Sequence, residues 1–245
     1  VKKKEIENLE IKNDYAFIIN SENNNILTKK HFYKKIHKDY NSSAFTGILN
    51  HHKIKNNTAI QIFTKFGPMA FLPLSQTKTS IVYSVDKKYC LNNEEIKNKI
   101  LEFNKFYKIK KLDELEKFDL KFSFSRNFFY KNIIFFGDIT HKIHPLAGQG
   151  FNMTLRDIII LSRLIDEKIN FGLEINETLF FEFKNKTKHF NYIFATGINL
   201  INEFFILDNK LNSKVSKNLF KILNKNKLFK DYATILADKG INTNY

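Results

Sequence analysis

Short apolar runs, punctuated by turn formers, dominate the first half of the chain. Residues 15–20, 43–49, 59–64, 69–74 and 80–85 are each β-prone, and Lys55-Asn-Asn, Gly67-Pro68 and Gln76-Thr-Lys separate the later ones. That spacing predicts an antiparallel sheet over 43–86. Residues 92–104 predict a helix, with Asn92 or Asn93 as N-cap and Ile96, Ile100, Leu101 and Phe103 along one side. A strand is expected at 119–125. Asn132-Ile-Ile-Phe-Phe136 is a continuous apolar run of the kind found in strands buried on both faces, and it ends at Gly137-Asp138. Beyond the next glycines, Leu155, Ile158, Ile159, Ser162 and Ile165 predict an amphipathic helix over 151–166. Residues 174–240 read as helical, with Leu179, Phe180, Phe183, Phe190, Ile193, Phe194 and Ile201 falling three or four apart. No internal repeat or low-complexity linker interrupts this pattern.

Composition narrows the classes. An apolar content of 43% with 26 Phe and 10 Tyr excludes a disordered chain, and 245 residues can bury a sizeable core. The single cysteine, Cys90, excludes an intrachain disulfide framework and reads as a minor core residue in a reducing compartment. Nothing reads as a spanning helix or a secretory signal. The net charge of +15 raises nucleic acid as a partner. The basic residues are nearly all Lys and are spread along the chain, so no nucleic-acid partner is expected. An anionic membrane surface suits that charge better.

The segment from Gly137 to Asn152 carries the candidate chemistry. A buried strand ending in Gly-Asp projects a carboxylate from the end of a sheet, where open α/β sheets bind ligands. A loop with Pro145, Gly148 and Gly150 then leads into a helix N-terminus, which offers uncommitted N–H donors and partial positive charge. Such a site suits a phosphate or the electron-rich edge of a flavin. A plain strand-to-helix turn with a structural Asp fits the spacing equally well. His141 and His144 form an H-x-x-H pair, but the glycine loop does not supply the helical i,i+4 pair of zinc enzymes, so no metal is expected. His51-His52 reads as exposed polar filler.

The stretch Gly137-Asp-Ile-Thr-His-Lys-Ile-His-Pro-Leu-Ala-Gly-Gln-Gly-Phe-Asn-Met-Thr-Leu-Arg-Asp157 closely resembles an FAD motif of flavoprotein aromatic hydroxylases, and within them the ubiquinone-biosynthesis branch. Gly67-Pro-Met-Ala-Phe-Leu-Pro-Leu74, Asp39-Tyr40 and Ala195-Thr-Gly-Ile-Asn199 agree with the family in order, the last at the start of a C-terminal helix. The resemblance implies an α/β fold of the p-hydroxybenzoate-hydroxylase type: a partial FAD-binding domain, an antiparallel substrate-domain sheet and C-terminal helices. Residues 1–40 would be a partial FAD-domain segment, 41–125 the substrate sheet, 126–166 the FAD-binding segment and 167–245 the helical region. Asp138, after Gly137, would bind the ribityl and pyrophosphate region. Pro145, Gly148, Gln149, Gly150 and Asn152 would line the isoalloxazine ring, and Phe71 and Pro73 the substrate pocket. Arg156 and Asp157 read as structural.

The implied activity is NAD(P)H-dependent reduction of FAD and hydroxylation of a polyprenylated phenol or benzoquinone precursor of ubiquinone. The implied setting is cytoplasmic, peripheral on the inner membrane face and within a ubiquinone-biosynthesis complex; failure to bind anionic liposomes at low salt would count against the membrane contact. No catalytic acid or base is nameable, because the cofactor carries the hard step. The family's G-x-G-x-x-G is missing, residues 1–40 hold no glycine, and Ser21-Glu-Asn23 stands where the family has Asp-Gly. The sequence starts at Val1, which fits a piece of a longer product. These 245 residues are expected to bind FAD weakly or not at all. A non-catalytic remnant, a partner-dependent subunit, and an epoxidase or prenyl-lipid reductase of the same superfamily are the competing readings.

Overall fold

The computed structural model describes residues 15–145 and 148–210, without the side chains of 201, 202 and 205–210. Along the chain run β1 (Ile18–Asn20), α1 (Ile26–His31), β2 (Lys35–His51), β3 (Ile60–Thr64), β4 (Gly67–Ser75) and β5 (Lys78–Asp86). There follow α2 (Asn93–Phe103), β6 (Ile109–Leu112), β7 (Glu116–Ser125), β8 (Phe129–Tyr130), β9 (Ile133–Phe135) and β10 (His141–Lys142). Two longer helices, α3 (Gln149–Asn170) and α4 (Glu177–Lys210), complete the described residues. They fall into two compact units, 15–38 with 122–202 and 39–121 with 203–210.

The second unit is the antiparallel sheet expected from the sequence. β2 pairs with β5 from Ser42↔Asp86 to Asn50↔Lys78, β5 with β4 at Met69↔Tyr83, and β4 with β3 at Ile60↔Phe71. Period-two alternation sends Ile81, Tyr83 and Val85 of β5 into one core with Phe45, Leu49, Met69 and Phe71. Ile96 and Ile100 of α2 join that core. Leu101, expected on the same side, is exposed. The helix starts where the sequence indicates: Asn92 Oδ1 accepts from the Glu95 amide at 2.9 Å, and Glu95 Oε2 accepts from the Asn92 amide at 2.8 Å. Between β3 and β4 the chain turns tightly through Lys65 and Phe66, not at Gly67-Pro68, and Gly67 opens β4 with a φ of 143° that is open only to glycine. The buried Tyr83 hydroxyl pairs with Thr64 Oγ1 at 3.0 Å, and burial pushes its pKa up to about 12.

Two histidine and cysteine expectations are overturned here. His51 is buried, not surface filler, because its ring bonds Thr79 Oγ1 at 3.0 Å and the His52 carbonyl at 2.8 Å. Cys90 is exposed, in the left-handed region at φ 49°, where it ends a short 3-10 turn.

In the first unit β1 and β9 pair in parallel, from Ile18↔Ile133 to Asn20↔Phe135. Ile133, Ile134 and Phe135 are all buried, as a continuous apolar run requires. Asn20 ends β1 as a hub. Its Nδ2 donates to Thr28 Oγ1 at 2.9 Å, and its Oδ1 accepts from Asn25 Nδ2 at 2.7 Å. This ties the Ser21-Glu-Asn23 turn to α1.

Helix α3 buries a different face from the one the apolar spacing suggests, and α4 keeps the expected face except at Phe190 and Ile193. In α3 the buried residues are Gln149, Met153, Asp157, Ile160, Leu161 and Leu164, while Leu155, Ile158 and Ile159 are exposed. The run Ile158-Ile159-Ile160 spans both sides of the cylinder, so apolarity alone cannot orient the helix. In α4 the inward stripe is Leu179, Phe180, Phe183, Thr187, Asn191, Phe194 and Ile198, and Phe190 and Ile193 face outward. Residues 195–199 lie inside α4, not at its start. Ile201 and the helical expectation beyond 210 fall outside what is described.

Candidate functional site

Every residue of the glycine-rich segment belongs to the first unit. β9 delivers the chain to Gly137, at φ 71°, which opens a 3-10 turn of residues 137–139. Thr140 closes that turn by donating its amide and its Oγ1 to the Gly137 carbonyl at 2.9 and 2.7 Å. The turn leaves the Asp138 side chain exposed at the end of a buried strand. β10 follows, pairing His141 with Phe124 of β7.

From β10 the chain passes Ile143 and His144, both buried, and the half-buried Pro145. Gly148 sits at φ 66° and has no described neighbour within 4 Å of where a Cβ would stand. Gly148 is the N-cap of α3, and no side chain caps that helix. No acidic residue occupies the first turn either. The leading amides of this 22-residue helix thus have no side-chain cap among the described residues. Gly150 is under less constraint, since an added Cβ would meet Ile143 Cγ1 at an ordinary 3.5 Å. Asn152 is half-buried on the same turn.

Several buried polar groups line this segment. Gln149 is buried and its Oε1 has no hydrogen-bond partner among the described residues. His141 Nε2 lies 3.0 Å from Asp157 Oδ2, both fully buried. Asn191 Nδ2, from α4, donates to both Asp157 oxygens at 2.9 and 3.1 Å. Arg156, beside Asp157, places its guanidinium 4.7 Å from the Phe194 ring centroid. Burial holds its pKa below the ordinary value, with the Asp157 charge acting against that shift.

His144 is the most strongly perturbed base. Burial alone holds its pKa down at about 4, so the ring is neutral at neutral pH. Between that value and 6.5 the unfolded chain binds more protons than the folded one, so acid destabilises the fold in that window. The contribution is complete above 6.5 and lost as pH falls to about 4, up to roughly 3 kcal/mol. Thermal melts across the window should show the wild type losing more stability than His144→Gln; parallel profiles would remove His144 as the cause.

An open left-handed glycine, uncapped helix amides, an orphaned amide oxygen and a strand-end carboxylate lie within sixteen residues, 137–152. Phe71 and Pro73 belong to the other unit. Phe71 is wholly buried against Tyr107 and Phe106, and Pro73 is half-buried in β4. The sequence reading missed Asn191, because nothing marks one polar residue in an aromatic helix as the partner of a distant aspartate.

A family model described as squalene epoxidase matches residues 30–237. The chain is similar to the ubiquinone biosynthesis monooxygenase COQ6 of Caenorhabditis elegans, 23% identical over 215 residues covering 69% of this chain and 48% of that protein. It is also similar to 3-demethoxyubiquinol 3-hydroxylase of Escherichia coli, 33% identical over 116 residues covering 45% of this chain and 29% of that protein. The solved structure of p-nitrophenol 4-monooxygenase PnpA from Pseudomonas putida aligns at a TM-score of 0.66 and 12% identity, covering 91% of this chain and 59% of that one. That last likeness is one of fold. The chain spans about half the length, or less, of the curated relatives it matches.

Proposed function

Because the chain belongs to the squalene epoxidase family of FAD-dependent monooxygenases, we propose that it supplies the flavin-ring end of an oxygenase acting on a polyprenylated phenol or benzoquinone precursor. One observation carries this reading: the uncapped N-terminus of α3, entered through a left-handed glycine with open space where a side chain would stand. FAD, once reduced by a nicotinamide nucleotide, would supply activated oxygen to an electron-rich ring.

The protein's part is to bind and orient. Asp138, exposed after a buried strand, accepts hydrogen bonds from the hydroxyls of the ribityl chain. The first amides of α3 donate toward the electron-rich edge of the ring, and the partial positive charge of the helix end favours negative charge there. Gly148 lets the ring approach the backbone. Gln149 Oε1 is an acceptor for a ring N–H, which would satisfy an otherwise orphaned buried oxygen. The neutral, buried His144 adds no charge to compete with that arrangement.

The substrate class comes from the ubiquinone-pathway relatives. Such a molecule partitions into lipid, and a chain of net charge +15 is drawn to an anionic bilayer surface. A second reading, epoxidation of an isolated double bond, draws on the description of the matching family model. Both reactions add one oxygen atom, so fragmentation of the product must say whether ring or side chain received it.

The first test is titration of the chain with FAD, followed by flavin fluorescence. Binding weaker than micromolar is expected, because no G-x-G-x-x-G is present to hold the adenosine diphosphate half. No binding up to millimolar FAD would sink the flavin reading. Sub-micromolar binding would show that the ring end alone suffices.

A further inference from the structure

A single buried bond joins β10 to α3. His141 stands on β10, Asp157 stands two turns into α3, and the two are joined at 3.0 Å across sixteen residues. A carboxylate offers only acceptors, so the shared proton is donated by His141 Nε2. Asp157 would still be free to swing about its side-chain torsions, but Asn191 grips both of its oxygens from α4 at 2.9 and 3.1 Å. Asn191 is itself buried, on the largely aromatic and aliphatic inward stripe of its helix. A buried polar residue at such a position is costly unless its hydrogen bonds are made. Three elements thus converge on one carboxylate: β10, α3 and a helix remote in sequence.

We infer that His141, Asp157 and Asn191 form a positioning staple that sets the exit of β10 and the first turn of α3 for the flavin ring, with Asn191 acting through Asp157. This rests on the flavin reading given above. The staple fixes the distance between the exit of β10 and the start of α3, and hence where Gly148 and the leading amides lie. Removing Asn191 leaves Asp157 able to rotate, and removing His141 frees the exit of β10. Either change misplaces the binding amides without touching the ring. A misplacement of about 1 Å is enough to weaken such a site on the order of tenfold.

The experiment compares FAD affinity, the visible flavin band and the melting temperature for the wild type, His141→Leu, Asn191→Leu, His141→Gln and Leu164→Ala. Leu164 is buried in α3 outside the staple and serves as a control for simple destabilisation. His141→Leu and Asn191→Leu should weaken FAD binding on the order of tenfold and shift the flavin band. Leu164→Ala should lower the melting temperature while leaving affinity and band at wild-type values. His141→Gln, whose amide N–H can still reach Asp157, should recover part of the affinity. Equal weakening in the control and the staple variants, or no weakening in the staple variants, overturns the staple and leaves the flavin reading intact. A wild type that leaves millimolar FAD unbound brings down both.

Discussion

Gly67→Ala is expected to unfold the antiparallel sheet unit, at a cost of at least about 4 kcal/mol. At φ 143° an L-residue is strained before any contact is considered. The added methyl would also be driven into the Ser84 carbonyl oxygen and stand 3.1 Å from its carbon. That obstacle is backbone in the middle of β5, which β2 and β4 hold on either side, so no side chain can step aside. The same turn sets Thr64, whose Oγ1 bonds the Gly67 carbonyl at 2.8 Å and the buried Tyr83 hydroxyl at 3.0 Å. Urea or thermal denaturation measures the effect, and at this chain length the melting temperature should fall by more than roughly 8 °C. Gly47→Ala is the informative comparison, because there the close atom is the flexible end of Leu115. A Gly67→Ala melt no lower than that of Gly47→Ala would count against the backbone collision.

Gly148→Asn is expected to have the opposite profile: near-native stability and FAD binding weakened by tenfold or more, on the order of 1.4 kcal/mol. Asparagine tolerates the left-handed region better than other side chains, and no described atom lies within 4 Å of the new Cβ, so folding has little to lose. The space it fills is the approach to the uncapped amides of α3. Flavin titration beside a thermal melt separates the two effects. A large fall in stability, or unchanged affinity, would mean that Gly148 serves the turn and not a ligand.

The sheet was legible because its signals are local. Alternation in β5 and the cap at Asn92 each involve neighbours in sequence and appear where expected, while the turn expected at Gly67-Pro68 falls two residues earlier, at Lys65-Phe66, and Gly67-Pro68 opens β4. The family, the fold class and the flavin cofactor followed from one unbroken motif, and the matches to relatives agree with them. Errors arose where a partner lies far along the chain. His51 looked like surface filler because Thr79, its partner, is 28 residues away. The buried face of α3 was misassigned because three successive isoleucines fit either side, and the decision falls to Asp157 through its bonds to His141 and Asn191. The same bonds give Asp157 a role that spacing could not reveal, since α4 meets α3 only in the folded chain.

Cys90 is the one cysteine in the sequence, and it stands exposed at the end of its short turn. A thiol-directed dye would therefore attach once per molecule, with no background sites to remove by mutation. Unfolding of the sheet unit in the Gly67 and Gly47 variants could then be followed through that dye's emission, at protein concentrations too low for an absorbance spectrum.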